Sequence, residues 1–190
     1  MAYEKKFLEL VKKNQELMTI LDTVHTLNLP DCWISAGAVF QTIWNEIDNR
    51  PVMTAVHDID ITYFDTENSF DSSVKKDKQL EKFLTEQFGY EFDVHNEAYM
   101  HLWQGQNIEP YTSSENAMTR WIATVHAVGI SGNSENIKIL APFGLEDIFK
   151  KIIRPIYHKD NNKALYDAKV AKWQARFNDL IIIPWEENII

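Results

Sequence analysis

Two aspartates two residues apart, Asp58 and Asp60, sit in the run His57-Asp58-Ile59-Asp60-Ile61-Thr62-Tyr63-Phe64. Its β-branched and aromatic residues predict a strand, and side chains alternate along a strand, so both carboxylates project from one face. Like charges placed this way repel each other unless something positive lies between them. Carboxylate oxygens are hard ligands of the kind Mg²⁺ prefers, and that ion typically takes one or two of them together with substrate phosphates. A third acid, Asp93, lies in Glu91-Phe92-Asp93-Val94, a second strand-like run able to pair beside the first. There the alternation puts Glu91, Asp93 and His95 on one face and Phe92 and Val94 on the other. Polar face against polar face, Asp58, Asp60 and Asp93 converge as the expected catalytic and metal-holding set, with Mg²⁺ as the ion and Mn²⁺ as its substitute. His95 shares that face, although Mg²⁺ has little use for imidazole. His57 reads as a residue that simply precedes the strand.

Upstream, Trp33 and Ile34 open a short apolar segment, Ser35, Ala36 and Gly37 make a turn of small residues, and a helix-like run follows from about Ala38 to Asn45. Gly37 lets the backbone come close to a ligand, while the helix N-terminus offers unpaired N–H groups and the positive end of a dipole. Ser35 is placed to add a hydroxyl. Strand, small-residue turn, helix, Asp-x-Asp and a later strand Asp form the order that two-metal nucleotidyl transfer requires.

On these residues the chain resembles the catalytic core of the DNA polymerase β-type nucleotidyltransferase superfamily. The run Ala36-Gly37-Ala38-Val39, with Asp58-Ile59-Asp60-Ile61 some twenty residues on, is similar to the head of the CCA-adding enzymes. Over nearly its full length the chain resembles a small bacterial nucleotidyltransferase-like family. The segments that carry this likeness are Asn96-Glu97-Ala98, His101-Leu102-Trp103, Ala141-Pro142-Phe143-Gly144-Leu145, Lys172-Trp173 and Pro184-Trp185. Two departures stand out. The superfamily turn is usually Gly-Gly or Gly-Ser, whereas Gly37 lies between two alanines, and the Arg-Asp of the CCA-adding enzymes is replaced by Phe40-Gln41, so tRNA-tail chemistry is not implied.

Other side chains are candidates for holding the nucleotide. Asn96 and His101, set among aromatics and followed by the loop Gln104 to Tyr111, suit a base or sugar pocket or its support. Residues 150–176 hold eight Lys/Arg and two acids, net +6, within a chain of net charge −9, which leaves −15 on the remainder. That stretch reads first as a solvated helix face. Within it, Arg154, Lys169 and Lys172 are the cations placed to reach a triphosphate. Trp44 is expected in the core, and so is Cys32, which as a lone cysteine excludes an intramolecular disulfide and fits a reducing compartment.

The elements that must position these groups follow from the apolar spacing. One amphipathic helix is predicted over 3–27 and another over about 74–88, with Leu80, Phe83, Leu84 and Phe88 inward and Gly89 as its C-cap. Thr112-Ser113-Ser114-Glu115 is expected to cap a short helix running to Trp121. A hairpin is expected from Thr124 to Ser131 and Asn136 to Leu140, then a helix ended by Arg154-Pro155, then a last helix over about 162–180. The expected fold is α+β: a nucleotidyltransferase-like mixed sheet flanked by helices, with N- and C-terminal helices packed on it, as a single domain over 1–190.

The function expected is metal-dependent transfer of an NMP from an NTP to a hydroxyl acceptor, a small molecule or a protein, with release of pyrophosphate. The alternative is a nucleotide-binding or regulatory module without turnover, and a phosphohydrolase ranks last because its usual His/Asp metal constellation is not evident. The acidic bulk argues against a long nucleic acid. No apolar run is long enough for a membrane span and the start lacks a signal-peptide pattern, so a cytoplasmic location is expected.

Overall fold

The structure is a computed structural model and describes residues 2–105 and 108–186. Its centre is a five-stranded mixed sheet, built from β1 (Trp33–Ser35), β2 (Asp58–Tyr63), β3 (Glu91–Asn96), β4 (Gly129–Gly132) and β5 (Ile137–Leu140) in the order β3-β2-β1-β4-β5. The β2–β3 pair is parallel, which requires a crossover, and helix α4 (Phe70–Phe88) supplies it; the other pairs are antiparallel. Ser69 caps the start of α4, and Gly89 ends it in the left-handed conformation expected of a glycine C-cap. The α4 helix starts four residues earlier than its apolar spacing suggests. Of the residues expected to face inward, Leu84 is fully buried but Phe83 is exposed.

The predicted N-terminal helix is two helices, α1 (Ala2–Val11) and α2 (Gln15–Thr26). The break falls at Asn14, whose side chain accepts the Leu17 N–H as an N-cap while its amide donates to Thr42 Oγ1 at 2.9 Å. A buried polar side chain satisfied on both ends outweighs the continuous apolar stripe that spans the break. Helix α3 (Gly37–Ile47) runs through the interior, buried from Gly37 to Asn45. Trp44 is in the core as expected, donating from Nε1 to the Ile148 carbonyl at 2.8 Å.

The later elements are shorter than predicted. Helix α5 (Ser114–Met118) is capped by Ser113, not Thr112, because the Ser113 hydroxyl accepts the Asn116 N–H. The hairpin arm starts only at Gly129, since Ala123 to Val128 turn back on themselves through i+3 and i+4 bonds. Helix α6 (Glu146–Phe149) gives way to β6 (Ile152–Ile153), and the last helix, α7 (Lys163–Gln174), is followed by β7 (Ile181–Ile182), which pairs with β6 in parallel. Tyr166 of α7 ties these pieces together, donating from its hydroxyl at 2.9 Å from the Ile153 carbonyl and 2.7 Å from that of Ile183. No helix among the described residues is long and apolar enough to cross a membrane.

An aromatic ladder fixes α7 against α3. Phe40 and Trp44, one turn apart on α3, meet Trp173 of α7 and Phe177 just beyond its end, edge to face at 5.6 Å and 5.0 Å. Arg50 braces the same junction, with its guanidinium over Phe177 and Nη1 donating to the Arg176 carbonyl at 2.8 Å. This packing turns the basic side of α7 toward the sheet.

Candidate active site

The strand alternation expected of β2 is present. Ile59 and Ile61 are fully buried on one face, while Asp58 and Asp60 project from the other. In the parallel ladder Asp60 is the direct partner of Asp93, and across the antiparallel pair Ser35 is the direct partner of Asp60, so all three side chains share one face. Burial first, then the charges of Asp58 and Asp93, push the Asp60 carboxyl up to about 7, against the pull of Lys169 and His95. The site is short of positive charge at that carboxylate.

Asp93 has a partner of its own. His95, two residues along the same face, brings Nε2 within 2.9 Å of Asp93 Oδ1. That hydrogen bond holds Asp93 below the usual carboxylate range; on the histidine burial pulls the imidazole down, but the bond to Asp93 together with the charges of Asp93, Glu97 and Asp77 raises it on balance. Among the described residues, no three His, Cys, Asp or Glu side chains are grouped so as to hold a metal ion. The expected convergence of three carboxylates is therefore two acids, Asp58 and Asp60, beside an Asp93 engaged by His95. The donor chemistry of the two still fits a hard divalent ion, because they offer adjacent oxygens on one face with an excess of negative charge.

Asp58 and Asp60 line a cleft of about 450 Å³, with Gly37, Gln41, His57, His126, Lys169, Lys172, Trp173 and Arg176 among its other walls. Gly37 opens α3 after an unusual turn. Ala36 has φ 55° and ψ −125°, a region that only glycine enters easily, and its carbonyl accepts the N–H groups of Val39 and Phe40. The first N–H groups of α3 thus start at the cleft edge. Ser35 is fully buried, with its hydroxyl 3.4 Å from the Asp60 carbonyl, and is not part of the cleft wall.

The basic stretch is resolved by what each cation finds. Lys150 pairs with Glu146, Lys151 with Asp48, Arg154 with Asp147, Lys159 with Glu109 and Lys163 with Asp167. Lys169, Lys172 and Arg176 instead face the cleft. Arg176 also donates from Nη1 to the Ala55 carbonyl at 3.0 Å, and burial lowers its pKa.

Three expected contacts lie elsewhere. Asn96 belongs to the Phe92–Val94 face of β3, opposite Asp93, and its carboxamide is saturated: it accepts from the Asp65 and Ala98 N–H groups and donates to the Asp65 carbonyl and Ser73 Oγ. It is a structural tie. His101, on the 3₁₀ helix Glu97–Gly105, is not among the cleft residues, and Arg154 is turned toward Asp147. The loop from Gln104 to Tyr111 falls partly outside the described residues, as does the side chain of Trp103.

Gln41, His126, Trp173 and Arg176 are cleft residues that the candidate set omits. Gln41 follows Gly37 by one helical turn, a spacing that marks it as a neighbour of the turn. His126 carries no such local signal, since only the fold brings it there.

The chain matches the family model described as "Nucleotidyltransferase" over residues 22–182. It is similar to a protein whose NMR structure reveals a CCA-adding enzyme head domain, at 32% identity over 95% of this chain and 96% of that one, with a TM-score of 0.79. Two other solved structures are more distant: a tRNA-processing enzyme complex (18% identity, 66% of this chain and 33% of that, TM-score 0.41) and a tRNA nucleotidyltransferase complexed with a primer tRNA and an incoming ATP analog (20%, 66% and 35%, TM-score 0.39). No curated protein matches the chain. The family match over most of the length and the shared head-domain fold place this chain in the nucleotidyltransferase family.

Proposed function

We propose that the chain transfers a nucleotidyl group from an NTP to a hydroxyl acceptor, with Asp58 and Asp60 as its Mg²⁺- or Mn²⁺-holding acids and pyrophosphate as the leaving group. One observation carries this reading: a single cleft sets Asp58 and Asp60, the start of α3 at Gly37 and the cations Lys169, Lys172 and Arg176 around the same space. A divalent ion bound to the two aspartates would neutralise charge on the triphosphate and polarise the reacting phosphoryl oxygens. Lys169, Lys172 and Arg176 hold the β- and γ-phosphates and so fix the α-phosphorus between the acids and the start of α3. Asp93, hydrogen-bonded to His95 and on the face of Asp60, takes the proton of the acceptor hydroxyl at its carboxylate oxygen. The acidic bulk of the chain favours a small molecule or a protein hydroxyl over a long RNA as acceptor.

The test is pyrophosphate release from each of the four NTPs with Mg²⁺ or Mn²⁺, run beside calorimetric NTP binding, for wild type and for the double variant Asp58→Asn/Asp60→Asn. Metal-dependent binding by wild type that the variant loses supports the reading. Equal behaviour of the two proteins removes it. A second reading, a nucleotide-binding module without turnover, is favoured by the pairing of Asp93 with His95. It requires tight binding with no pyrophosphate from any acceptor.

A further inference from the structure

Two buried polar atoms among the cleft residues have no hydrogen-bond partner: Oε1 of Gln41 and Nδ1 of His126. Gln41 is only 4% exposed. Its side chain folds back along α3, so that Nε2 lies 2.9 Å from the point where a Cβ on Gly37 would stand. Only a residue without a side chain at position 37 lets the carboxamide lie there. His126 is brought beside the same turn by the backbone, because Val128, two residues on, accepts the Ala36 N–H at 2.9 Å. Its ring packs between Trp121 and Trp173, at 5.0 Å and 5.9 Å.

Leaving a buried amide oxygen and a ring nitrogen unsatisfied is destabilising, because each has lost its hydrogen bonds to water without replacement. Such groups in a cleft wall are explained by a ligand that completes them. The chemistry of that ligand is constrained. An amide oxygen accepts only, so it is not met by phosphate oxygens, which also accept; those match Lys169, Lys172 and Arg176. The imidazole is uncharged at neutral pH, since burial and then Lys169 push its pKa down to about 3. A neutral imidazole and a carboxamide call for a neutral group that both gives and receives hydrogen bonds, and a hydroxyl is the simplest. A nucleobase is the poorer match beside these two groups, because the indole in the wall, Trp173, is 2% exposed and offers no face for stacking.

We propose that Gln41 and His126 form a neutral subsite that binds the ribose hydroxyls of the nucleotide and makes the protein prefer ribonucleotides to deoxyribonucleotides. The inference rests on the nucleotidyl-transfer reading and adds to it the residues that select the sugar. The phosphates lie along α7, the α-phosphorus near Asp58 and Asp60, and the sugar against the Gly37–Gln41 turn.

The experiment is calorimetric titration of ATP, 2′-deoxy-ATP and 3′-deoxy-ATP, each with Mg²⁺, into the full chain as wild type, Gln41→Met, Gln41→Leu, His126→Phe and Lys169→Ala. Wild type is expected to bind ATP about ten-fold more tightly than at least one deoxy analogue, the worth of one hydrogen bond. Gln41→Met and Gln41→Leu should bring ATP down to the level of that analogue and leave the analogue's own affinity unchanged. His126→Phe, which keeps the aromatic packing, should act in the same way and serves if the Gln41 variants do not fold by circular dichroism. Lys169→Ala should weaken all three nucleotides by one factor. A wild type that binds the three equally, or a preference that survives both substitutions, overturns the sugar subsite and leaves the transfer reading standing. Wild type that binds none of them overturns both.

Discussion

Asp60 and Asp93 are direct partners in the parallel ladder of β2 and β3, with both carboxylates on one face, yet Asp93 is bonded to His95 Nε2 at 2.9 Å while Asp60 is bordered by Asp58. The two acids therefore differ in environment. At Asp60 burial and two neighbouring acids outweigh the pull of Lys169 and His95, whereas Asp93 is held by His95. This asymmetry separates an acid with an unmet demand for positive charge, as a divalent ion would supply, from one already engaged by a neighbour.

Asp60→Asn should abolish metal-dependent NTP turnover, by at least about a hundred-fold, while leaving the protein more stable. The stability gain arises because the substitution removes a carboxylate crowded by Asp58 and Asp93. Thermal melts with and without Mg²⁺ check it. A fall in Tm without metal contradicts the reading of Asp60 as a carboxylate short of positive charge.

Ala36→Gly should stabilise the fold. The turn holds an alanine at φ 55° and ψ −125°. Relief of roughly 1–3 kcal/mol of strain exceeds the roughly 0.5–1 kcal/mol that glycine costs in chain entropy. A net gain of about 1 kcal/mol corresponds to a Tm rise of about 2–4 °C for a chain of this size. Chemical denaturation of the two proteins measures it directly.

His126 makes stability depend on pH in a direction opposite to Glu97. The His126 imidazole has a folded pKa pushed down to about 3, below the ordinary 6.5, so the unfolded chain binds a proton that the folded chain does not. Its contribution is therefore present above about 6.5 and lost as pH falls below it, by up to about 1.4 kcal/mol per pH unit. Urea midpoints of wild type and His126→Asn at pH 7.5, 6.5 and 5.5 should converge as the pH drops.

Glu97 is 4% exposed, and burial pushes its carboxyl up to about 8 from 4.5. The folded chain keeps the proton that the unfolded chain loses, so this contribution is complete below about 4.5 and falls away as pH rises toward 8. Glu97→Gln should remove that decline. Between pH 6.5 and 8 its stability curve should run flatter than wild type, and identical slopes would contradict the burial of this acid.

Lys169→Ala and Lys172→Ala should each weaken triphosphate binding by about ten-fold at low salt, with less effect as ionic strength rises. Arg154→Ala should leave nucleotide binding unchanged. Its guanidinium serves Asp147 at 3.0 Å, an exposed pair worth about 0–1 kcal/mol. Nucleotide titrations at two salt concentrations separate the two behaviours.

What the sequence determined by itself was local and periodic. The two-residue spacing of Asp58 and Asp60 placed them on one strand face, Glu91, Asp93 and His95 on another, and Ser35-Ala36-Gly37 before a helix, because a strand or a helix start is set by residues a few positions apart. The mixed sheet with flanking helices followed from the same patterns. Which cations face the cleft was decided by tertiary structure alone. Lys151 is paired with Asp48, 103 residues away, whereas Lys169, Lys172 and Arg176 are presented by the ladder of Phe40, Trp44, Trp173 and Phe177. Asn96 fell on the wrong face once the strand parity was fixed. Spacing alone placed Gln41 beside the Gly37 turn, but His126 and the unsatisfied atoms of both residues belong to the tertiary structure, since whether a buried polar atom has a partner is a property of packing between distant segments rather than of any stretch of chain.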